Sequence, residues 1–387
     1  MPSRKLRMGM IGGGQGAMIG AVHRTAATMD GEIELVCGAF SSDPERAKAS
    51  GRGLYLPDDR IYSSWQEMLE MEKDLSEGER MDFVSIVTPN HVHFPVAEKA
   101  LEYGFHVVCE KPMTFNLEEA KRLEKIVEKS GCLFALTHNY TGYPMVKQAG
   151  KIAREGTLGN IRKVLVEYPQ GWMATALEAT GQKQASWRTD PEKAGGSCCM
   201  GDIGSHAENL CEYVTGLKID SLCADLTSFV NGRRLDDDGN VLLRFNNGAR
   251  GVLHASQICV GLENGLHIRV YGEKGGLEWA QTEPNSLVLR WLDKPAEVLR
   301  TGLNHAYLDD IAQANTRMPA GHPEGYFEAF ANVYMNFAKS LRNVLDGKCV
   351  KNAKGDFPTV YDGVRGMSFI ETVVKSSTSD QKWIKML

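Results

Sequence analysis

The stretch "MIGGGQGAM" at residues 10–18 decides the fold, because it joins an apolar run to a helical pattern. The run before it, LRMGMIG at residues 6–12, is nearly all apolar, as is typical of a buried parallel strand. Gly12, Gly14 and Ala17 fit the spacing G-x-G-x-x-G/A, in which glycines form a tight turn and let the backbone approach a pyrophosphate. The stretch therefore predicts a dinucleotide-binding loop, and a glycine-rich turn without a ligand is the alternative.

Working outward from this loop, strand-like and helix-like patterns alternate up to residue 137. Asp43 and Asn116 stand where helices should begin, and Gly131 stands where one should end. Alternating strands and helices are typical of right-handed βαβ units on a parallel sheet. The sequence predicts an α/β protein whose residues 1–137 form a Rossmann domain with a doubly wound parallel sheet.

Beyond residue 138 the pattern changes to strand-like runs separated by turn signals such as NNG and EKGG. Few helical patterns intervene, so residues 138–387 are predicted to form an α/β domain with a large, mostly antiparallel open sheet. Helical patterns at residues 328–345 and 360–377 come late in the chain. They could pack back on the first domain.

Composition excludes several classes of protein. The chain has 387 residues, which is more than one hydrophobic core usually organises. Its net charge is -5 and its Lys and Arg residues are scattered, so we expect no nucleic-acid partner. No apolar run approaches the roughly 20 residues of a membrane helix, and no signal-peptide cleavage site follows the N-terminus, so we expect a cytoplasmic protein without a membrane partner. The nine cysteines show no C-x-x-C pair, which indicates buried thiols and no metal site.

The end of the second predicted strand bears on the choice between NAD and NADP. An acidic residue there normally holds the ribose of NAD, but this chain has Ser41 at that position. Ser41 and Arg46 together could hold a 2′-phosphate, which favours NADP. Asp43 could still reach a ribose, so NAD stays open.

IVTPNHVH at 86–93 and EKP at 110–112 both fall at the carboxyl ends of predicted strands, where open α/β sheets bind ligands, and a third motif, GGSCCMGDIGSH, lies at 195–206. Together with the glycine loop, they resemble the glucose-fructose oxidoreductase / inositol dehydrogenase / rhizopine-catabolism (Gfo/Idh/MocA) family over nearly the whole chain. The resemblance implies a Rossmann domain followed by an α/β domain with an open sheet. It also implies an NAD(P)-dependent dehydrogenase or reductase of sugars or polyols, working as a homodimer or homotetramer. The lysine of EKP maps to Lys111, and the Asp and His of the later motif map to Asp202 and His206.

The residue types agree with alcohol oxidation, which needs a base for the hydroxyl proton. His206 suits that role because the unperturbed pKa of histidine, roughly 6.5, lies near working pH. Asp202 stands four residues earlier, so both side chains can share one helix face, although Asp202 could instead be a helix N-cap. Lys111 can stabilise the developing alkoxide. These three residues are the predicted catalytic set.

Other residues are predicted to bind ligands, with ordinary packing or capping as the alternative for each. The predicted cofactor contacts are Gly12, Gly14, Gln15, Ala17, Ser41, Ser42, Arg46, Thr88, Asn90, His93, Glu110 and Lys111. The predicted substrate contacts are Lys111, Tyr140, Trp187, Arg188, Asp202, His206 and His322.

The favoured function is a dehydrogenase acting on a ring hydroxyl of a sugar, glycoside or cyclic polyol, such as a glucoside 3-dehydrogenase or an inositol dehydrogenase. One alternative is an NAD-dependent glycosidase that oxidises a sugar transiently and reduces it again. Another is a non-enzymatic dinucleotide sensor. The presence of Lys111, Asp202 and His206 together counts against the sensor.

Overall fold

The computed structural model of the protein describes residues 4–353 and 355–387. The chain divides into two compact units. The first unit comprises Met1–Asn139 and Phe330–Val364, and the second comprises Tyr140–Ala329 and Arg365–Leu387.

The first unit is built on a parallel sheet. Its strands are β1 (Leu6–Gly12), β2 (Ile33–Ala39), β3 (Phe83–Val87), β4 (His106–Cys109) and β5 (Phe134–Leu136). Its helices are α1 (Met18–Thr28), α2 (Pro44–Arg52), α3 (Trp65–Lys73), α4 (Asn90–Glu102) and α5 (Leu117–Ser130). The strand order is β2-β1-β3-β4-β5, and every residue of β3 and β4 is buried, as parallel strands require. The predicted doubly wound parallel sheet is confirmed.

Local capping signals fix where the helices of this unit begin and end. The Asp43 carboxylate accepts a hydrogen bond from the Arg46 amide at 2.9 Å and caps α2. The Asn116 side chain accepts from the Glu119 amide at 2.8 Å and caps α5, which ends at Gly131 with φ +69°. These bonds satisfy N–H groups that have no partner inside the helix. The predicted caps are confirmed.

We predict that Asn116→Ala lowers the free energy of unfolding by about 1 kcal/mol, because the first turn of α5 loses its cap. Chemical denaturation monitored by circular dichroism would measure the change. Asn116→Asp keeps the accepting oxygen and is the matched control. Equal stability of the Ala and Asp variants would contradict the prediction.

The second unit is built on a larger sheet. Its strands are β6 (Lys163–Pro169), β7 (Ile219–Thr227), β8 (Asp238–Phe245), β9 (Arg250–Ser256), β10 (His267–Tyr271), β11 (Gly275–Ala280), β12 (Ser286–Trp291), β13 (Glu297–Arg300) and β14 (Ile384–Lys385). They lie in the order β13-β12-β11-β10-β6-β9-β8-β7-β14. Among the described strand pairs of this second sheet, only β6–β9 is parallel, so the predicted mostly antiparallel sheet is confirmed. Buried and more exposed residues alternate along β8 and β10, which indicates one covered face and one open face.

More helices lie in this unit than the sequence analysis predicted. They are α6 (Pro144–Arg154), α7 (Lys183–Arg188), α8 (Pro191–Ala194), α9 (Ser205–Thr215) and α10 (Asp310–Gln313). Helices α6 and α9 are buried along most of their length but carry polar residues at buried positions, such as Lys147 and Glu208, so polarity in the sequence does not mark an exposed helix face. The expectation of few helices was wrong for this reason.

Two late helices, α11 (Tyr326–Leu345) and α12 (Val360–Ser377), have residues in both units. Within the first unit, Phe337 of α11 packs edge-on against Phe83 of β3, with ring centroids 5.1 Å apart. Across the part of the chain that the structure describes, no helix is both long and apolar enough to cross a membrane.

Candidate functional site

The glycine loop after β1 has a backbone that only glycine adopts easily. Gly12 and Gly13 have φ angles of +81° and +69°, in the left-handed region. A Cβ atom on Gly14 would lie 2.7 Å from the Phe40 carbonyl oxygen and 2.8 Å from the Ser50 hydroxyl, so no side chain fits there. The loop thus leaves a backbone cradle without side chains.

Helix α1 starts from this cradle with an uncapped N-terminus. Ala17 occupies the N-cap position without a side-chain bond, and the first turn holds no acidic residue. Free N–H groups and the positive end of the helix dipole favour an anion there. A Cβ on Gly13 would lie 2.9 Å from the Gly20 Cα, so Gly20 provides the close helix–loop packing that the motif assigns to its third position, Ala17. These residues fit the pyrophosphate of a dinucleotide.

Some polar groups of the loop after β2 form hydrogen bonds within the loop or cap the helix that follows it. The Ser41 hydroxyl accepts from the Asp43 amide at 3.1 Å, and Asp43 caps α2 as described. Ser42 and Arg46 are exposed. The Gln15 amide donates to the Ser50 hydroxyl at 3.0 Å, which ties the glycine loop to α2.

The segment after β3 contains a buried side-chain hydroxyl, that of Thr88. The Thr88 hydroxyl is buried and has no hydrogen-bond partner among the described residues, so a bound ligand could satisfy it. Asn90 is the buried first residue of α4. The ring of His93 is fully buried, and its nitrogens lie 2.8 Å from the Thr88 and Pro112 carbonyl oxygens. Burial lowers the pKa of His93, although both carbonyl contacts favour the protonated ring.

The EKP segment follows β4, and its Lys111–Pro112 peptide bond is cis. The Glu110 carboxylate accepts from Thr137 Oγ1 at 2.6 Å and from the Lys111 amide at 3.1 Å, and it lies 2.8 Å from His23 Nε2. Burial alone would raise the pKa of Glu110, but the bond and charge of His23, together with Lys111, lower it to about 2. Glu110 therefore stays ionised in the core of the first unit.

The depressed pKa of Glu110 predicts a pH dependence of stability. A carboxylate whose pKa falls from roughly 4.3 when unfolded to about 2 when folded stabilises the protein above the unfolded value. This stabilisation is lost as pH falls toward 2. The unfolding free energy of wild type minus that of Glu110→Gln should therefore be constant above about pH 5 and shrink below pH 4. Denaturation series from pH 3 to 7 would measure it, and a difference that does not change with pH would refute the assignment.

In the second unit, Asp202 lies on a π-helical turn, Met200–Gly204, that leads directly into α9. Its Oδ2 accepts from Arg188 Nε and from Gln257 Nε2, both at 3.0 Å. Asp202 caps neither helical segment, so the N-cap alternative is wrong. Turns of this kind are rare in proteins, and those that occur lie frequently at functional sites.

The π-helical turn is anchored by a buried carboxylate. Asp236 accepts from Ser197 Oγ at 2.9 Å and from the amides of Cys198 and Met200 at 3.0 Å. Burial raises the pKa of Asp236 despite these bonds. Cys198 and Cys199 are buried free thiols whose pKa burial raises, so neither is a reactive thiolate. Among the described residues, no group of three or more His, Cys, Asp or Glu side chains could hold a metal ion.

His206, on the first turn of α9, is 7% exposed and lies among aromatic side chains. The Tyr140 ring stands edge-on to it, with centroids 4.8 Å apart. The hydroxyls of Tyr140 and Tyr168 are hydrogen-bonded, and Tyr168 donates to Asn264 Oδ1 at 2.7 Å. Burial raises the pKa of Tyr140, and the negative charge of Asp202 adds to this effect. Asp202, Tyr140 and His206 therefore share one neighbourhood.

Arg188 faces Asp202 from α7. Its guanidinium lies 4.3 Å from the centroid of the Trp187 ring, and its Nη1 donates to Gln184 Oε1 at 2.6 Å. Trp187 and Arg188 are thus brought to Asp202, whereas His322 lies exposed on the loop between α10 and α11.

Sequence reasoning missed several residues that contact the candidate set: Gly20, His23, Tyr168, Gln257 and Asn264. Gln257 directly follows β9, and a polar residue at a strand end is a signal that could have found it. His23 and Tyr168 carry no such signal, because each occupies an ordinary buried position of a helix or strand.

Two family models match the chain from residue 6 to residue 278, and solved structures resemble it over nearly its whole length. The model described as "Oxidoreductase family, NAD-binding Rossmann fold" matches residues 6–140, and the GFO/IDH/MocA C-terminal domain matches residues 146–278. An oxidoreductase from Sinorhizobium meliloti is 45% identical, with a TM-score of 0.88 and coverage of 99% of this chain and 100% of that one. An inositol dehydrogenase homolog from Azotobacter vinelandii, solved with NADH and myo-inositol, is 34% identical, with a TM-score of 0.91 and coverage of 99% and 98%. Levoglucosan dehydrogenase from Pseudarthrobacter phenanthrenivorans is 25% identical over 79% of this chain and 82% of that protein.

Proposed function

The chain belongs to the GFO/IDH/MocA oxidoreductase family, and we propose that it oxidises a ring hydroxyl of an uncharged cyclic polyol or sugar, with inositols as the leading substrates. The observation that carries this proposal is the pair Asp202 and His206 on a π-helical turn and its following helix, with Asp202 oriented by Arg188 and Gln257. The Azotobacter relative with bound NADH and myo-inositol supports the substrate class.

The first unit is an NAD-binding Rossmann domain, and its residues fit the dinucleotide. The cradle of Gly12–Gly14 and the N-terminus of α1 would hold the pyrophosphate, and the Thr88 hydroxyl would bind a polar group of the cofactor. When bound, the nicotinamide supplies the hydride acceptor. The protein's own residues must then manage the proton and the developing charge on the substrate oxygen.

In this mechanism His206 takes the hydroxyl proton. Its setting of aromatic rings excludes water from much of its surface, while Asp202 binds or orients a neighbouring polar group. The ammonium of Lys111 stabilises negative charge on the oxygen. General-base and electrostatic contributions of this kind are each worth about two powers of ten or more in rate.

The contacts of Arg188, the cation beside Asp202, favour an uncharged substrate. Arg188 is bonded to Asp202 and Gln184 and stacked on Trp187, so its charge neutralises Asp202 instead of serving a substrate phosphate or carboxylate. Several further polar groups near Asp202 and His206 are neutral. They are Tyr140, Tyr168, Gln257 and Asn264. Hydroxyls and amides of this kind suit a substrate rich in hydroxyl groups.

The substrate proposal is tested by absorbance of reduced nicotinamide with a panel of inositols, free sugars, sugar phosphates and glucosides. We expect turnover with an inositol or a neutral sugar and little with sugar phosphates. Release of an aglycone from a glucoside without net nicotinamide reduction would replace this proposal with the redox-cycling glycosidase.

The catalytic assignments predict that His206→Ala and Lys111→Ala each lower kcat by about 100-fold or more and leave dinucleotide binding largely intact. His254→Ala is the matched control. His254 lies on β9, its Nδ1 is 3.0 Å from Asn240 Oδ1, and it has no assigned role. Steady-state kinetics and fluorescence titration with NADH would measure both quantities. Near-wild-type turnover of His206→Ala would remove it from the mechanism.

We also infer that Ser41 and Arg46 let the protein use NADP as well as NAD, because Ser41 replaces the acidic residue that normally holds the ribose of NAD and the Asp43 carboxylate caps α2. Arg46→Ala should lower kcat/KM for NADP by about tenfold, the loss of one charged hydrogen bond, and leave the value for NAD unchanged. Lys48→Ala, a neighbouring exposed cation on the same helix, is the control. Equal effects of Arg46→Ala on both cofactors would contradict the inference.

A further inference from the structure

We propose that Lys111 is held by a two-point clamp in which Glu110 and His93 act as positioning residues. The proposal rests on the proposed function, since it assigns Lys111 a part in the reaction. It gives Glu110 and His93 a role through Lys111 instead of direct contact with the cofactor.

The first point of the clamp acts on the N-terminal side of Lys111. The Glu110 carboxylate accepts the Lys111 amide at 3.1 Å and the Thr137 hydroxyl at 2.6 Å. Thr137 follows β5 and Glu110 follows β4, so the bond ties two neighbouring strand ends together. The backbone of Lys111 is thereby fixed to the sheet.

His23 holds this carboxylate from α1. Its Nε2 lies 2.8 Å from Glu110, and its Nδ1 lies 2.7 Å from the Tyr334 hydroxyl. The Ser85 hydroxyl lies 2.9 Å from the same tyrosine oxygen. The exposed fraction of His23, Ser85 and Tyr334 is 1% or less. A buried polar network with every member bonded rigidifies its surroundings, because any displacement would leave an unsatisfied group in a low-dielectric core.

The second point acts on the C-terminal side of Lys111. His93 lies 2.8 Å from the Pro112 carbonyl through Nδ1 and 2.8 Å from the Thr88 carbonyl through Nε2. The ring therefore joins the segment after β3 to the residue that follows Lys111. A neutral ring donates its single N–H to one of these carbonyls and packs against the other, so His93, with no exposed surface, acts on the backbone around it.

Lys111 thus lies between two fixed backbone groups, which are its own amide and the carbonyl of Pro112. Burial, together with the positive charge of Lys111, lowers the pKa of His138 to about 3. A fixed backbone limits the positions that a long, flexible lysine side chain can reach. Misplacement of a catalytic group by about 1 Å can cost about 100-fold in rate.

The experiment compares Glu110→Ala with Glu110→Gln in the full chain. Glutamine keeps an oxygen that accepts the Lys111 amide, whereas alanine removes it. We expect Glu110→Ala to lower kcat by about 100-fold with little change in KM for the dinucleotide, and Glu110→Gln to recover most of the loss. His93→Leu, which removes the second point, should lower kcat in the same way.

Two measurements separate positioning from mere stability. Glu72 is a fully buried glutamate of the first unit, bonded to Arg60, Tyr62 and the Met81 amide. Glu72→Gln should lower the melting temperature and leave the kcat of the folded protein unchanged. Hydrogen exchange at the Lys111 amide should become faster in Glu110→Ala and stay slow in Glu110→Gln.

The clamp is overturned if Glu110→Ala loses activity only in proportion to its unfolded fraction, or if Glu110→Gln is as inactive as Glu110→Ala. The proposed function can fail separately. If the wild type reduces no nicotinamide with any polyol or sugar, that function fails, while exchange at the Lys111 amide still decides whether Glu110 fixes this backbone.

Discussion

The parallel alignment of five strands is the constraint on which the first unit depends. Because the strands run in one direction, their carboxyl ends meet at the same edge of the sheet, and every residue that directly follows a strand is delivered there. Gly12, Ser41, Thr88, Glu110 and Thr137 are remote in sequence but come from these ends. The glycine cradle, the Thr88 hydroxyl and the Glu110 network all follow from this one alignment.

Buried or half-buried charge is the second recurring theme, and three carboxylates illustrate it with different sets of partners. Glu110 is held by a histidine, a threonine and an amide, and Asp236 by a serine and two amides. Asp202 is held by a guanidinium and a side-chain amide. Removing one partner from such a group leaves a desolvated charge, which costs several kcal/mol. These groups therefore fix local geometry more strictly than apolar packing of the same volume.

The sequence predicted those features that local signals determine. The glycine motif, the caps at Asp43 and Asn116 and the change from alternating to strand-rich patterns are all written in short stretches. Helices α6 and α9 were missed because each buries polar residues, such as Lys147 and Glu208, so polarity in the sequence does not mark an exposed helix face. The partners of Glu110 could not be foreseen, because His23 lies 87 residues away and looks like any buried residue of an amphipathic helix. The spacing of Asp202 and His206 predicted one helical turn, and it could not distinguish a π-helical turn from a regular one.

The π-helical turn makes the register of this segment sensitive to its length. It contains one residue more than a regular turn, so a chain shorter by one residue between Asp202 and His206 would close into an ordinary α-helix. Each residue of such a helix turns the chain by about 100°, and the deletion would rotate Asp202 away from Arg188 and Gln257 relative to His206. Loops elsewhere can gain or lose residues at little cost, but here the number of residues is itself part of the chemistry.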